Sequence, residues 1–229
     1  FDNDGDQDLL LVNSCHWPDR QPPGTPAPTM ALYQNDGTGQ FRDVTAACGL
    51  DRSFFGMGVA VGDYDNDGWR DVFFSAVGEN HLLRNDQGKF AEVTLQAGVA
   101  GSAKDWSTAC GWLDYNNDGL LDLFVANYVQ WSAEMDLDLA RTLDGVNRAY
   151  LPPTSFAGTS PCLYRNEGNG RFTDVSAEAG IQIVNPATGE PMAKSLGVVF
   201  VDLDGDNYLD IVVANDTVQN YLLHNQRDG

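Results

Sequence analysis

The 229-residue chain carries 33 acidic residues against 13 basic ones, which gives a formal net charge of −20. This balance excludes the basic surface of a nucleic-acid-binding protein and the polybasic patch that binds anionic lipid. No stretch reaches the roughly 18 consecutive apolar residues of a membrane span, so we predict no transmembrane segment. Hydrophobic residues make up 42% of the chain, which is enough for a packed core.

A short aspartate-rich motif recurs along the chain. Three complete copies, with the pattern D-x-[DN]-x-D-[GN]-x-x-D, begin at Asp63, Asp114 and Asp202. An apolar run follows each copy. Positions 2–8 align with the same motif but lack its first aspartate. We therefore expect the chain to begin inside a repeat and the full protein to be longer.

A second motif alternates with the first. It combines a leucine, an Asn/Gly turn and a phenylalanine followed by an acidic residue, and its copies begin at Leu32, Leu82, Leu163 and Leu222. Short apolar runs also lie before and after each aspartate motif. Each unit thus contains four short strands separated by turn residues, which is the pattern of a β-propeller blade. A helix is predicted only around 133–143.

These repeats predict one all-β domain, a partial β-propeller over residues 1–229. The predicted blades cover about 1–47 (partial), 48–98, 99–181 and 182–229 (partial). Two cysteines, Cys48 and Cys110, occupy apolar positions of the repeat and are expected to be buried thiols. Cys15 and Cys162 are the better candidates for a disulfide.

The aspartate motif predicts a calcium site in each complete copy and a truncated one in the first. Calcium takes six to eight oxygen ligands, and short side chains at alternate positions can wrap it in a tight loop. The predicted ligands are the side chains of Asp2, Asp4 and Asp8 in the first copy, of Asp63, Asp65, Asp67 and Asp71 in the second, of Asp114, Asn116, Asp118 and Asp122 in the third, and of Asp202, Asp204, Asp206 and Asp210 in the fourth, with the backbone carbonyls of Trp69, Leu120 and Tyr208.

Two other interpretations of the motif are weaker. An EF-hand requires a glutamate at loop position twelve, where this chain has Phe74, Val125 and Val213. A metal-free surface turn would leave several carboxylates repelling one another in each repeated loop. Magnesium is also less suitable, because it keeps its waters and prefers few protein ligands.

The paired motifs resemble FG-GAP/VCBS repeats, the blades of the propeller in integrin α-chains and in many bacterial secreted proteins. The stretches 35–45 and 179–181 resemble the cartilage-acidic-protein-like branch of that family. The resemblance implies calcium-bearing blades, a propeller of about seven blades in the full protein, and an extracellular, periplasmic or cell-surface location.

Three insertions, 14–30, 131–161 and 182–192, interrupt the repeat. If the aspartate loops join first and second strands, these insertions lie together on the opposite face, where variable loops can bind a partner. We expect a protein or glycan partner there and a non-catalytic binding or scaffold function. The candidate contact residues are Cys15, His16, Trp17, Pro18, Asp19, Arg20, Trp131, Arg141, Arg148, Tyr150 and Phe156.

Two alternative functions remain open. A polysaccharide lyase would need basic residues near a histidine or tyrosine base, for which the insertions offer Arg20, Arg141, Arg148 and His16. A structural subunit of a larger assembly would use the propeller as a rigid spacer. The sequence contains no recognised hydrolase, metalloprotease or phosphate-loop motif, so no catalytic residue is predicted.

Overall fold

Four antiparallel sheets follow one another along the chain. The computed structural model describes residues 1–17, 20–147 and 149–227. In each sheet the strands are hydrogen-bonded in chain order. Blade 1 contains β1 Leu9–Leu11, β2 Ala31–Asn35 and β3 Phe41–Asp43, and blade 2 contains β4 Gly56–Gly62, β5 Asp71–Ala76, β6 His81–Asp86 and β7 Lys89–Glu92. Blade 3 contains β8 Asp105–Leu113, β9 Asp122–Gln130, β10 Cys162–Asn166 and β11 Phe172–Asp174, and blade 4 contains β12 Ser195–Val201, β13 Asp210–Asn215 and β14 Tyr221–Leu223.

Two kinds of turn connect these strands on one side of the molecule. The aspartate loops 63–70, 114–121 and 202–209 join the first strand of a blade to the second, and positions 1–8 precede β1. A two-residue hairpin joins β6 to β7, where Gln87 and Gly88 have φ angles of 52° and 85°. Positive φ at both positions is what such a tight hairpin requires.

The hydrophobic core lies between the blades rather than inside one sheet. Within β5, Val72 and Phe74 pack toward blade 1 while Phe73 packs toward blade 3. A third cluster joins blades 3 and 4 and includes Phe124 and Val213. Both faces of a sheet are thus buried against neighbouring sheets. These sheets are β-propeller blades, and the predicted all-β fold class is confirmed.

Glycines on the innermost strands let neighbouring blades approach closely. A Cβ atom at Gly62 of β4 would lie 2.7 Å from Cδ1 of Trp112 on β8. At Gly111 of β8 it would meet the ring of Phe200 on β12. These positions therefore need glycine for packing, since neither has a positive φ.

The structure contains short helices that the strand pattern did not predict. α1 Thr45–Cys48 and α2 Thr94–Ala97 each follow the outer strand of a blade, and both end at a left-handed glycine, Gly49 and Gly98. α3 Ala133–Leu139 lies within the region predicted as helical, and a 3₁₀ helix covers Pro153–Ser155. Among the described residues, none of the helices has the length and apolarity to cross a membrane.

All four cysteines are free thiols in this structure, so Cys15 and Cys162, the better candidates for a disulfide, do not form one. Cys15 precedes β2 in blade 1, whereas Cys162 begins β10 in blade 3, and the whole sheet of blade 2 lies between them. The Cys162 thiol lies 3.6 Å from Nδ2 of Asn127. Cys48 is buried, as expected, and Cys110 packs against the core between blades 2 and 3.

Candidate metal centre

The blade-2 loop brings three of its predicted ligands together. Carboxylate oxygens of Asp63, Asp65 and Asp71 all lie within 4.8 Å of one another. Asp63 shapes the loop, because its two oxygens accept hydrogen bonds from the backbone N–H groups of Asp67 (3.0 Å) and Gly68 (2.9 Å). The loop is therefore folded around the carboxylate that its first position supplies.

The other two predicted ligands of the same loop are Asp67 and the Trp69 carbonyl. The Asp67 side chain is not part of the three-carboxylate group, and its Oδ1 accepts the backbone N–H of Trp69 at 2.8 Å. The assignment of Asp67 as a direct ligand, and of the Trp69 carbonyl beside it, stays a prediction.

Two of the three grouped carboxylates are in an unfavourable environment for a charge. Burial, followed by repulsion from Asp67, raises the pKa of Asp65. Burial raises the pKa of Asp71 to about 7, although it accepts backbone hydrogen bonds from Asn85 and Tyr64. The Oδ1 atom of Asp65 is buried and has no hydrogen-bond partner. A bound cation would favour the ionised form of both groups and supply the missing partner.

The blade-4 loop also brings three carboxylates together, but with basic neighbours. Asp202, Asp204 and Asp206 have oxygens within 4.8 Å of one another. Nε of Arg227 donates to Asp206 Oδ2 at 2.5 Å, and a hydrogen bond from the backbone of Tyr208 is the main factor that lowers the Asp206 pKa. This loop is therefore partly neutralised by the chain itself.

Asp210 lies apart from that group. Its Oδ1 is 2.9 Å from Nδ1 of His224 and accepts the Asn225 N–H at 2.9 Å. The Leu203 N–H donates to its other oxygen at 3.1 Å. Hydrogen bonding, first from Asn225, lowers the Asp210 pKa. The structure therefore does not bring Asp210 together with the other three predicted ligands, and the Tyr208 carbonyl stays a prediction.

The blade-3 loop has the same backbone shape with fewer converging charges. Asp114 accepts the N–H groups of Asp118 (3.1 Å) and Gly119 (2.9 Å), as Asp63 does in blade 2. Nδ2 of Asn116 donates to Asp118 Oδ2 at 2.9 Å. Burial raises the pKa of Asp122 to about 6. Asp114, Asp118 and Asp122 do not form a group as tight as that in blade 2, and the Leu120 carbonyl stays a prediction.

The first loop is the least organised of the four. The N–H of Asp4 donates to Asp2 Oδ1 at 3.4 Å, and Asp2 Oδ2 accepts from Nε2 of Gln34 at 2.5 Å. Asp8 accepts the Asn35 N–H at 2.9 Å. The structure does not bring Asp2, Asp4 and Asp8 together as one group.

Oxygen-only donors suit a hard divalent cation, and the blade-2 loop presents three carboxylates with one buried oxygen unpartnered. The Asp65–Asp71 environment therefore fits calcium best among the described loops. Neither thiol nor imidazole enters the blade-2 group, so a zinc or copper site is not indicated there.

Comparison with known families identifies the repeat. The family described as FG-GAP-like repeat matches residues 1–74, 63–125 and 154–213. The chain belongs to the FG-GAP-like repeat family. The family predicted from the paired motifs is therefore confirmed. The matched ranges end in β5, β9 and β13, so each includes at least one aspartate loop and the start of the strand that follows it.

Three relatives of this FG-GAP-like chain share the name cartilage acidic protein 1. Cartilage acidic protein 1 from Mus musculus and from Homo sapiens is 27% identical over 203 residues in each case, covering 76% of this chain. The Xenopus tropicalis protein of that name is 25% identical over 191 residues, covering 80%. The chain spans only 31%, 30% and 24% of the lengths of these relatives.

This FG-GAP-like chain is also similar to solved structures. Among them is that of an Agrocybe aegerita lectin, which is described as recognising non-reducing terminal N-acetylglucosamine specifically. The match has a TM-score of 0.38 and 17% identity, and covers 87% of this chain and 47% of the lectin. This similarity is too low to transfer a ligand or a site.

The three insertions meet on the face opposite the aspartate loops. The ring of Trp17 in 14–30 lies 5.2 Å from that of Trp131 and 4.3 Å from that of Phe55. A Cβ atom at Gly158 in 131–161 would lie 2.8 Å from the carbonyl oxygen of Pro191 in 182–192. Nζ of Lys194, just beyond 182–192, donates to the Pro153 carbonyl in 131–161 at 2.7 Å. We call this continuous surface, formed by 14–30, 131–161 and 182–192, the insertion face.

The residues expected to contact a partner differ in exposure. Trp17 is 39% exposed and Tyr150 is fully exposed, whereas Phe156 is buried at 9%. The expectation that Phe156 is available to a partner is therefore wrong, because its side chain is buried. Pro18, Asp19 and Arg148 lie outside the described residues. His16 and Arg141, named for the lyase alternative, occupy exposed loop positions.

Sequence reasoning missed one set of residues beside the aspartate loops. Asn85, Asn166 and Asn225 were interpreted as turn residues, but each side-chain amide reaches the aspartate loop of the preceding blade. The signal was present, since an asparagine recurs at this position in every copy of the second motif. The hydrogen-bond partner of each asparagine could not be found from the sequence, because the partners are far apart in the chain; Asn166 and Tyr64, for example, are 102 residues apart.

Proposed function

We propose that this chain is part of a calcium-binding, non-catalytic propeller of an extracytoplasmic protein. The supporting observation is the blade-2 loop, where Asp63, Asp65 and Asp71 converge within 4.8 Å and Asp65 Oδ1 is buried without a partner. Calcium would be held by these carboxylates and would supply a structural charge, not a reaction step. Membership of the FG-GAP-like family and similarity to cartilage acidic protein 1 support the extracellular part of the proposal.

Isothermal titration of the full-length protein with calcium, after treatment with a chelator, tests this proposal. We expect saturable binding, and we expect Asp63→Ala to remove the blade-2 contribution. Asp51→Ala is the matched control, since Asp51 is exposed and lies outside the loops. Calcium binding that is equally strong in Asp63→Ala and in the control would place the ion elsewhere. An absence of any saturable binding would contradict calcium as the ligand.

We propose further that a protein or glycan partner binds the insertion face. Three segments that interrupt the repeat converge there, and they expose apolar side chains that the chain itself does not cover, including Leu143, Val146 and Tyr150. Large aromatic side chains often dominate binding energy at interfaces. The aspartate loops, by contrast, are compact repeated turns that offer little variety for recognition.

Replacing residues 131–161 of the full-length protein with a short Gly/Ser linker tests the second part. We expect loss of binding to matrix proteins or to a panel of glycans, with calcium uptake retained. Leu95→Ala is the control, because Leu95 is 80% exposed but lies in α2, outside the three insertions. Binding that survives loss of both 131–161 and 14–30 would show that the partner uses another surface, as a subunit packed by its outer strands would.

A further inference from the structure

An asparagine at the end of the third strand connects each blade to the one before it. Nδ2 of Asn166 donates to the carbonyl of Tyr64 in the blade-2 loop at 2.8 Å and to the carbonyl of Leu121 in its own blade at 3.0 Å. Its Oδ1 accepts the N–H of Gly168 at 3.0 Å. Because Asn166 is only 2% exposed, both donors and the acceptor are satisfied by the protein.

The same contact repeats at the other two junctions between blades. Asn85 donates to the carbonyl of Phe1 at 2.8 Å, and Asn225 donates to the carbonyl of Tyr115 at 2.8 Å. Phe1, Tyr64 and Tyr115 occupy equivalent loop positions, immediately before the predicted ligands Asp2, Asp65 and Asn116. The connection is therefore a regular feature of the repeat.

The backbone of the same asparagine contacts the aspartate loop of its own blade. The N–H of Asn166 donates to Asp122 Oδ1 at 2.8 Å, just as that of Asn85 donates to Asp71 Oδ1 at 2.8 Å. In the blade-2 loop, Tyr64 lies between Asp63 and Asp65, and its N–H donates to Asp71 Oδ2 at 3.2 Å. Asn166 thus contacts both Asp122, the last aspartate of the blade-3 loop, and the backbone of the blade-2 loop at Tyr64.

We propose that Asn166, together with Asn85 and Asn225, couples calcium binding between adjacent blades. The inference rests on the proposed calcium sites. A cation that fixes Asp122 also fixes its hydrogen bond to Asn166, whose amide then holds the Tyr64 carbonyl. The blade-2 loop consequently has less conformational freedom to lose when it binds calcium. By linkage, occupancy of blade 2 favours occupancy of blade 3 by the same factor. Asn166 is a positioning residue in this arrangement, not a ligand.

A double-mutant cycle in the full-length protein tests the coupling. Terbium is titrated as a luminescent substitute for calcium. Its emission is excited through Trp69, which lies inside the blade-2 loop. The variant Trp69→Phe identifies the part of the emission that comes from the blade-2 site. Asp118→Ala weakens the blade-3 site without altering Asp122, which binds Asn166. We expect Asp118→Ala to weaken terbium binding at blade 2 by about fivefold or more, the lower range of allosteric coupling. In an Asn166→Ala background, Asp118→Ala should cause no further weakening.

The controls separate coupling from general destabilisation. Asn169→Ala changes an exposed residue of the same hairpin, whose Oδ1 accepts only the Arg171 N–H, and should keep the full effect of Asp118→Ala. Asn166→Ser retains one donor and should give an intermediate effect; it replaces Asn166→Ala if that variant does not fold. The proposal is overturned if Asp118→Ala leaves blade-2 affinity unchanged, or weakens it equally with and without Asn166. Loss of metal binding in all variants, wild type included, would instead contradict the calcium sites themselves.

Discussion

Asp71, the last aspartate of the blade-2 loop, is fully buried and closes the loop onto the third strand of its blade. It accepts the backbone N–H groups of Tyr64 at 3.2 Å and Asn85 at 2.8 Å. Asp122 and Asp210 make the equivalent pairs of hydrogen bonds in blades 3 and 4. These aspartates therefore stabilise the fold apart from any role as ligands.

We expect Asp71→Ala to destabilise the protein even in the presence of a chelator. The substitution leaves two buried N–H groups without an acceptor, which costs about 1–3 kcal/mol of stability for each group. Removal of a buried charge offsets part of that cost. The free energy of unfolding in urea with EGTA should fall by about 1–4 kcal/mol. Asp67→Ala is the control, since Asp67 is exposed and accepts only the Trp69 N–H. Equal stability of the two variants would mean that Asp71 acts only through a metal.

Glu92 gives a second residue-level prediction, on the acid sensitivity of blade 2. Burial raises its pKa, but hydrogen bonds from His81 and Thr94 outweigh burial, and the net pKa lies below its ordinary value of 4.5. Arg52 adds an ion pair at 2.8 Å. A lowered folded-state pKa gives a stabilisation that is present above about pH 5 and is lost as the pH falls through the folded pKa.

The variant Glu92→Gln should accordingly be less stable than wild type at pH 7, and the difference should shrink toward pH 3. Urea denaturation at several pH values with EGTA measures it. The aspartate loops titrate in both proteins, so their acid dependence cancels in the difference between the variant and wild type. Glu79→Gln is the control, as Glu79 is exposed. A difference that stays constant with pH would show that the carboxylate charge does not contribute.

At this scale the sequence predicted residue types better than residue partners. The spacing of the aspartates identified the loops, because ligand residues of one loop are close in the chain. Partners from elsewhere in the chain were not predictable: Arg227 neutralises Asp206 through a contact formed by folding, and Asn166 meets Tyr64 across a blade junction. Local patterns contain no information on which distant strands become neighbours.

The innermost strands offer a test at the level of elements. Gly111 of β8 faces the Phe200 ring so closely that a Cβ atom would overlap it, whereas a Cβ atom at Gly197 of β12 would lie 3.9 Å from Ala214 Cβ. Neither glycine has a positive φ, so the two alanine variants differ in packing alone. Overpacking costs about 1–3 kcal/mol, and we expect Gly111→Ala to lose that much stability in urea while Gly197→Ala loses little. The blade spacing would be adaptable if both variants were tolerated.

Among the elements, strands were predictable and short helices were not. The strands were recognised because apolar runs alternate with loop and hairpin motifs over the whole length of each repeat. α1 and α2 contain four residues each, about one turn, which is too short for a helical period to show in the sequence. α3 was predictable because it lies in an insertion, where the strand pattern stops.

On the scale of the whole molecule, stability depends on the junctions between blades. Each of the three core clusters joins two consecutive blades, and the aspartate loops lie along one face of these junctions. Under the proposed coupling, a loop that loses its cation would affect the blade beside it through the asparagine contact as well as its own blade. We therefore expect the effect of calcium to spread beyond a single loop.

Removal of calcium should lower the thermal stability of the full-length protein. A site that binds only the native state contributes about 2.7 kcal/mol when free calcium is 100 times the dissociation constant. Each kcal/mol shifts the unfolding midpoint by about 2–4 °C for a domain of 150–250 residues and by less for a larger one, so each occupied site should add at most roughly 5–10 °C. Differential scanning calorimetry with EGTA and with excess calcium measures this shift. Asp63→Ala should lose part of it and Asp51→Ala none, while an unfolding midpoint that is the same in EGTA and in calcium would show that the ions do not stabilise the fold.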